Sequence, residues 1–171
     1  MIKKPFFLSI MVIIALVGPI LGVAPRAVAQ SPNAFGNEAY HNQRGLEYYK
    51  EGFYQLAPKR QLKEADQYYE LAVAEFKKAI SVNASFADAY RNLARVYYVQ
   101  KKFGEAVEAY KKVTELNPDD LDSYVNLAVA YTQIQKYDEA IEQLEIAKTR
   151  TVDTNVIEKL NGYIQKVKQN R

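Results

Sequence analysis

The sequence has no cysteine, a single histidine at His41 and, once its first 29 residues are set aside, no net charge. Each absence removes a class of chemistry. Without thiols there is no disulfide framework, no Cys-ligated zinc or iron-sulfur centre and no thiol nucleophile, and one imidazole cannot build a His-based metal cluster. Lys3, Lys4 and Arg26 account for the whole formal charge of +3, and beyond residue 29 basic and acidic groups balance. A neutral chain lacks the electrostatic footprint that phosphate-backbone binding requires, so no nucleic acid is expected as partner. What is present, 49% apolar and 25% charged residues over a length of 171, is the composition of a folded globular chain with room for one domain and a processing segment.

The one long apolar run lies at the start. Lys3 and Lys4 precede an apolar stretch from Phe6 to about Ile20, interrupted by Gly18 and Pro19, and Ala27, Val28 and Ala29 come before Gln30. A short positive region, an apolar core and a small-x-small site form the secretory pattern, which predicts a signal peptide over 1–29 cut after Ala29. The alternative is retention as a membrane anchor, because Phe6 to Gly22 is 17 residues, at the lower edge of what spans a bilayer. In that case the membrane is met only through residues 1–22. Either way the folded part is expected to be exported, periplasmic or otherwise extracytoplasmic. Residues 30–37, dominated by Ser, Pro, Asn and Gly, read as a flexible leader.

Shifting the sequence against itself by 34 residues aligns Tyr90 with Tyr124, Leu93 with Leu127, Ala94 with Ala128, Tyr97 with Tyr131, Ala106 with Ala140 and Val113 with Ala147. These aromatic and small apolar residues recur at helical spacing in two runs, separated by Lys101 to Gly104 and again by Gln135 to Asp138, so each unit is a helix-turn-helix. The pattern resembles the tetratricopeptide repeat (TPR). Residues 87–120 supply Tyr90, Leu93, Ala94, Tyr97, Ala106, Tyr110, Val113 and Pro118. Residues 121–154 supply Tyr124, Leu127, Ala128, Tyr131, Ala140, Leu144 and Ala147, with Val152 where Pro is usual. Small residues at Ala94 and Ala106, and at Ala128 and Ala140, let two antiparallel helices approach while Tyr and Leu fill the groove between them.

A further unit precedes these. Ala72, Phe76 and Ala79 fall on second-helix positions, and taking Gly45 as the small residue and Tyr48 as the following Tyr starts the unit at Glu38 and extends it over 38–86. It is about 15 residues longer than the others. Leu62, Ala65, Tyr69, Ala72, Phe76 and Ala79 alternate at spacings of three and four, and Pro58 suits a first helical turn, so the extra residues are expected to lengthen the second helix from about Pro58 to Ser81. Such a helix is about 36 Å long and projects beyond the stack, covering the end of the solenoid or offering a docking surface. Asp153, Thr154 and Asn155 provide a cap, and 155–171 read as a closing helix with one polar face, which a repeat array needs at its end. The expected fold is therefore all-α: a TPR-type solenoid of three repeats, the first with its insertion, plus a C-terminal capping helix.

No catalytic constellation stands out. Asp119, Asp120 and Asp122 lie in or beside the inter-repeat turn, where Asp and Pro stop and cap helices. His41 has no nucleophile beside it and occupies a packing position. The Asn83-Ala84-Ser85 triplet matches a glycosylation acceptor but fills an inter-repeat turn. The chain reads as no enzyme, with no metal and no cofactor. The family resemblance implies that first helices line a concave face and contact partners through Asp88, Arg91, Asn92, Arg95, Tyr98 and Val99 in the middle unit, and through Asp122, Val125, Asn126, Val129, Thr132 and Gln133 in the last. Tyr49 and Lys50 join them in the first unit. Arg91, Arg95 and Tyr98 share one helical face and suit a carboxylate or an extended peptide, while Asn92 and Asn126 suit a backbone amide. A specialised TPR branch clamps a terminal carboxylate, but its places here hold Asn42, Leu46, Asn92, Asp122 and Asn126. Only Asn92 agrees, and Asp122 repels such a ligand. The resemblance implies a non-enzymatic adaptor or scaffold that binds protein or peptide during assembly of an envelope or membrane-associated complex. The alternative is a self-associating structural subunit, a homo-oligomer that uses the extended helix or the solenoid ends.

Overall fold

The computed structural model describes residues 36–171. The expected signal or anchor segment, and all but the last two residues of the expected leader, lie outside the described residues. Within them there are seven α-helices and no strand, and no helix is long and apolar enough to cross a membrane. Helices α1 (Asn37–Lys50) and α2 (Leu62–Val82), α3 (Ala87–Val99) and α4 (Phe103–Leu116), and α5 (Leu121–Gln133) and α6 (Tyr137–Thr149) form three antiparallel pairs. Helix α7 (Thr154–Gln169) closes the stack against α6.

Each pair reverses direction through the same device. After α3, Lys101 takes a φ of 60° and the Lys102 N–H donates to the Tyr97 carbonyl at 2.8 Å. After α5, Gln135 takes a φ of 61° and the Lys136 N–H donates to the Tyr131 carbonyl at 2.9 Å. This left-handed helix ending usually falls to glycine. In the first pair the device comes later. Beyond Lys50 the helix runs on as a π-helical turn (Glu51–Leu56) and a 3₁₀ turn (Ala57–Lys59), and then Arg60 takes a φ of 60° while the Gln61 N–H donates to the Leu56 carbonyl at 3.1 Å.

The second helix of that pair is the longest, 21 residues against 14 in α4 and 13 in α6. It begins at Leu62 and not at Pro58, which lies in the 3₁₀ turn of the first arm. The extra residues are therefore divided between both arms of the hairpin. Packing gives the reason: a lengthened second arm alone would carry its apolar stripe past the end of its partner, whereas here Leu56 and Ala57 of the first arm cover Ala65 and Tyr69 of the second. Leu62, expected at the head of the stripe, points outward and is 61% exposed.

The core consists of the repeated small and large positions. Ala94 and Ala106, and Ala128 and Ala140, are buried at the two later crossings, and Tyr110 and Leu144 fill the space beside them. At the first crossing Gly45 lies against Phe76, so tightly that a Cβ on it would stand 2.5 Å from the ring. Leu93 packs with the α2 residues and Leu127 with the α4 residues, so this position faces the second helix of the preceding unit. Its counterpart in the first unit is Arg44, which donates to the Tyr40 and Tyr48 hydroxyls instead. At the other end the Asp153 carboxylate caps α7 by accepting from the Asn155 and Val156 N–H groups.

Two carboxylates tie helices together. Asp120 caps α5, accepts from the Ser123 hydroxyl at 2.7 Å, and accepts from Arg91 Nε at 3.0 Å and Nη2 at 2.6 Å, linking α3 to the start of the next unit. Glu75 on α2 stands 2.7 Å from Nδ1 of His41 on α1 and accepts from Lys78 at 2.9 Å. Burial pushes both carboxyls up. The Ser123 and Arg91 bonds at Asp120, and the His41 and Lys78 bonds at Glu75, more than offset it and leave each below the ordinary carboxylate value.

The close crossing predicts opposite outcomes for two glycines. Gly45→Ala forces a methyl into the buried Phe76 ring and should cost about 1–3 kcal/mol, whereas Gly162→Ala on α7, where a Cβ meets nothing within 4 Å, should gain about 0.5–1 kcal/mol. Urea unfolding of both variants checks this, and effects of the same sign would refute it. The lowered carboxylates stabilise the fold above their unfolded values of about 4, and that contribution is lost as pH falls through their still lower folded values. Asp120→Asn should therefore lose about 1–2 kcal/mol at neutral pH and show a shallower loss of stability on acidification. An acid limb as steep as the parent's would contradict the Arg91 tie.

Candidate binding face of the solenoid

The first helices α1, α3 and α5 form the face on which the expected contact residues fall. The Asn92 side-chain amide donates to the Asn42 side-chain carbonyl at 2.9 Å, drawing α3 to α1 on this side. Asn92 is thereby buried and satisfied within the fold. Arg91 is also committed. Besides Asp120 it binds Asp88 one turn back, and its side chain is only 23% exposed. The expectation that Arg91, Arg95 and Tyr98 form one binding group, free of packing duties, is corrected here, since Arg91 braces two units and only the other two remain available.

Arg95 is different. It is exposed and forms no ion pair among the described residues, although it lies one turn from Arg91 on the same helix. Its surroundings are phenolic. Burial pushes the Tyr110 hydroxyl up to about 12, with Arg95 pulling against it and the neighbouring Tyr49 and Tyr98 adding to it. Burial likewise raises Tyr49, with Tyr54 and Tyr69 adding and Arg95 opposing. Tyr98 sets its ring edge against Phe103 with centroids 5.3 Å apart, and Tyr49 stacks on Phe53 at 5.4 Å. Phe53 in turn meets Tyr54 edge to face at 5.0 Å. An unpaired guanidinium thus stands among tyrosines, with an aromatic wall continuing onto the extended first arm.

Sequence reasoning named Tyr49, Arg95 and Tyr98 for this face and missed Tyr110, Phe103, Phe53 and Tyr54. Phe53 had a legible signal, four residues beyond Tyr49 on a continuing helix. Tyr110 had none, because it is a second-helix packing residue whose edge reaches the same place.

On α5, Val125 and Asn126 are half-buried, and Val125 packs on the core of the last unit. Val129 is 42% exposed and Gln133 is exposed, so the last unit offers a mild apolar and amide surface. Asp122 at its head is exposed and without an ion pair, so this end of the face carries negative charge. His41, held by Glu75 between α1 and α2, is half-buried and away from any nucleophile. Among the described residues no cluster of three or more His, Asp or Glu is placed to hold a metal. A shallow cleft of about 560 Å³ lies over α3 and α4, floored by Tyr90, Leu93 and Tyr97 and rimmed by Glu105 and Glu108. None of the expected contact residues lines it.

Comparison with known proteins gives the same picture of the fold. A tetratricopeptide repeat model matches residues 87–120, and a second matches residues 109–142 in another register. No curated protein matches the chain by sequence. Among solved structures it is similar to the TPR2B-domain:pHsp70 complex of yeast Sti1, at 23% identity and a TM-score of 0.57 over 75% of this chain and 99% of that one. It is also similar to the first TPR domain of human RPAP3, at 19% identity and 0.60 over 77% and 90%. The type III secretion translocator chaperone SycD of Yersinia enterocolitica matches at 13% identity and 0.57 over 73% and 83%. Residues 87–142 therefore carry tetratricopeptide repeats, and the described chain folds as a TPR-type helix-turn-helix solenoid.

Proposed function

We propose that the protein is an exported, non-enzymatic adaptor that binds a protein or peptide partner on the face of α1, α3 and α5, in the assembly of an envelope or membrane-associated complex. The observation that carries this is Arg95. A guanidinium left exposed without a carboxylate, flanked by Tyr49, Tyr98 and Tyr110, supports recognition of an acidic group on an extended segment through charge-assisted hydrogen bonds, with aromatic contact beside it. Val129, Asn126 and Gln133 continue the surface for the rest of such a segment. The yeast Sti1 domain is a complex with pHsp70 and the Yersinia protein is a translocator chaperone, which supports the same class of role without naming this chain's partner. Export rests on Lys3, Lys4, the apolar run and the Ala27 to Ala29 site.

Stacking of copies end to end is the less favoured mode. The edge that would meet a preceding helix carries His41 and Arg44 where inner units carry Tyr and Leu, and a polar outer edge is what terminates a repeat array.

The test is crosslinking of the full chain in its native envelope fraction, with captured proteins identified for the parent, Arg95→Ala/Tyr98→Ala and Arg91→Ala. The double variant should lose a captured partner on the order of tenfold to a hundredfold while keeping its melting temperature. Arg91→Ala should instead lower the melting temperature and affect capture only through folding. Full capture by the folded double variant would retire the face as the binding site, and capture of its own copies alone would favour the structural subunit.

A further inference from the structure

The first hairpin outreaches the rest of the solenoid, and its tip has its own chemistry. The two arms last approach closely at Gly52, where a Cβ would stand 2.8 Å from the Tyr69 ring and 3.1 Å from the Ala65 carbonyl oxygen. Residues 53–64 lie beyond that crossing. Leu56 and Ala57 turn back onto the Ala65 and Tyr69 cluster, leaving Phe53, Tyr54 and Leu62 outward at 37%, 62% and 61% exposure. Between them stand Lys59, Arg60 and Lys63, all exposed and none within ion-pair distance of a carboxylate among the described residues. From Phe53 to Lys63 there is no acidic residue.

This charge is not balanced locally. The chain beyond residue 29 is neutral, so three cations at the tip leave the remainder with an excess of acidic groups. Antiparallel pairing puts the turns that follow first helices on one edge and the turns that follow second helices on the other. The first edge carries, besides the tip, Lys101, Lys102 and Lys136, and the end of α7 with Lys166 and Lys168. The second edge carries Asp88, Asp119, Asp120, Asp122 and Asp153. The molecule is thus polarised from edge to edge, with its exposed aromatic residues at the far point of the basic one.

We propose that the hairpin tip docks on an anionic lipid surface, with Phe53, Tyr54 and Leu62 entering the headgroup region and Lys59, Arg60 and Lys63 meeting lipid phosphates. Aromatic rings with a polar end settle at such interfaces, and long cationic side chains lay their stems on apolar surface while the charge reaches outward. Basic residues beside the bilayer gain from the negative surface potential, and the polarised edges orient the approach tip first. A convex tip of flexible cations suits a fluid surface better than a shaped protein pocket. The site shares no residue with Arg95 and Tyr98, so the two proposals stand or fall separately.

The chain contains no tryptophan, so Tyr54→Trp in the full chain makes a single fluorescent reporter at the tip. With vesicles of phosphatidylglycerol mixed with phosphatidylcholine, its emission should shift to the blue and be quenched by bromine-labelled acyl chains. On pure phosphatidylcholine it should stay as in water, and the shift should fall away at high salt. Adding Lys59→Gln/Arg60→Gln/Lys63→Gln should abolish the shift while the circular dichroism stays unchanged. Insertion through residues 6–22 would leave the reporter in water, so membrane attachment there does not imitate the result. If Tyr54→Trp disturbs the fold, Phe53→Trp serves in its place. Emission unmoved on anionic vesicles, or moved equally on neutral ones, overturns the proposal and leaves an acidic protein surface as the occupant of the tip.

Discussion

Everything in this solenoid depends on how closely two helices of a pair can approach at their crossing. A small residue on each side, Ala94 with Ala106 and Ala128 with Ala140, brings the backbones near enough for the flanking Tyr and Leu side chains to close the space between one pair and the next. In the first unit one partner is reduced to glycine and the other side is Phe76, so the ring takes up the room that a Cβ would need. Because interiors are packed to crystal-like density, the crossing fixes both the separation of the helices and the direction in which their remaining side chains point.

That direction divides the polar residues of the first helices into two kinds. Arg91 and Asn92 are drawn into the structure, one binding the Asp120 cap of the following unit and the other the Asn42 amide of the preceding one. A repeat array has only neighbour contacts to hold its units in register, and these two bonds supply such contacts on the binding side. Arg95, a single turn further along, has no such partner and is left among tyrosines. The recognition capacity of the face therefore comes from what the inter-unit bonds leave over, and its polarity runs from the unpaired cation in the middle unit to the unpaired Asp122 in the last.

The insertion follows the same logic. Two arms can extend beyond a stack only if each covers the other, which is why the added residues are shared and why the π-helical turn, rather than a break, carries the first arm onward. Tyr49 and Phe53 then belong to one continuous surface, so the extension both prolongs the binding face and carries a separate aromatic and basic tip away from it.

The repeat period, the helical class, the small residues at the crossings and the Asp caps were legible in the sequence, because each is a local property that recurs with the chain and needs no knowledge of what lies opposite. The exposed role of Tyr98 and Arg95 followed from helical spacing for the same reason. The position of the first turn was not legible, since Pro58 suits a helix start, a 3₁₀ turn and an extended arm alike, and mutual coverage of the arms decided among them. Nor could spacing separate Arg91 from Arg95. They are the same residue type on the same helical face, and only the placement of Asp120, 29 residues away across a turn and a second helix, determined that one guanidinium closes the fold while the other faces outward.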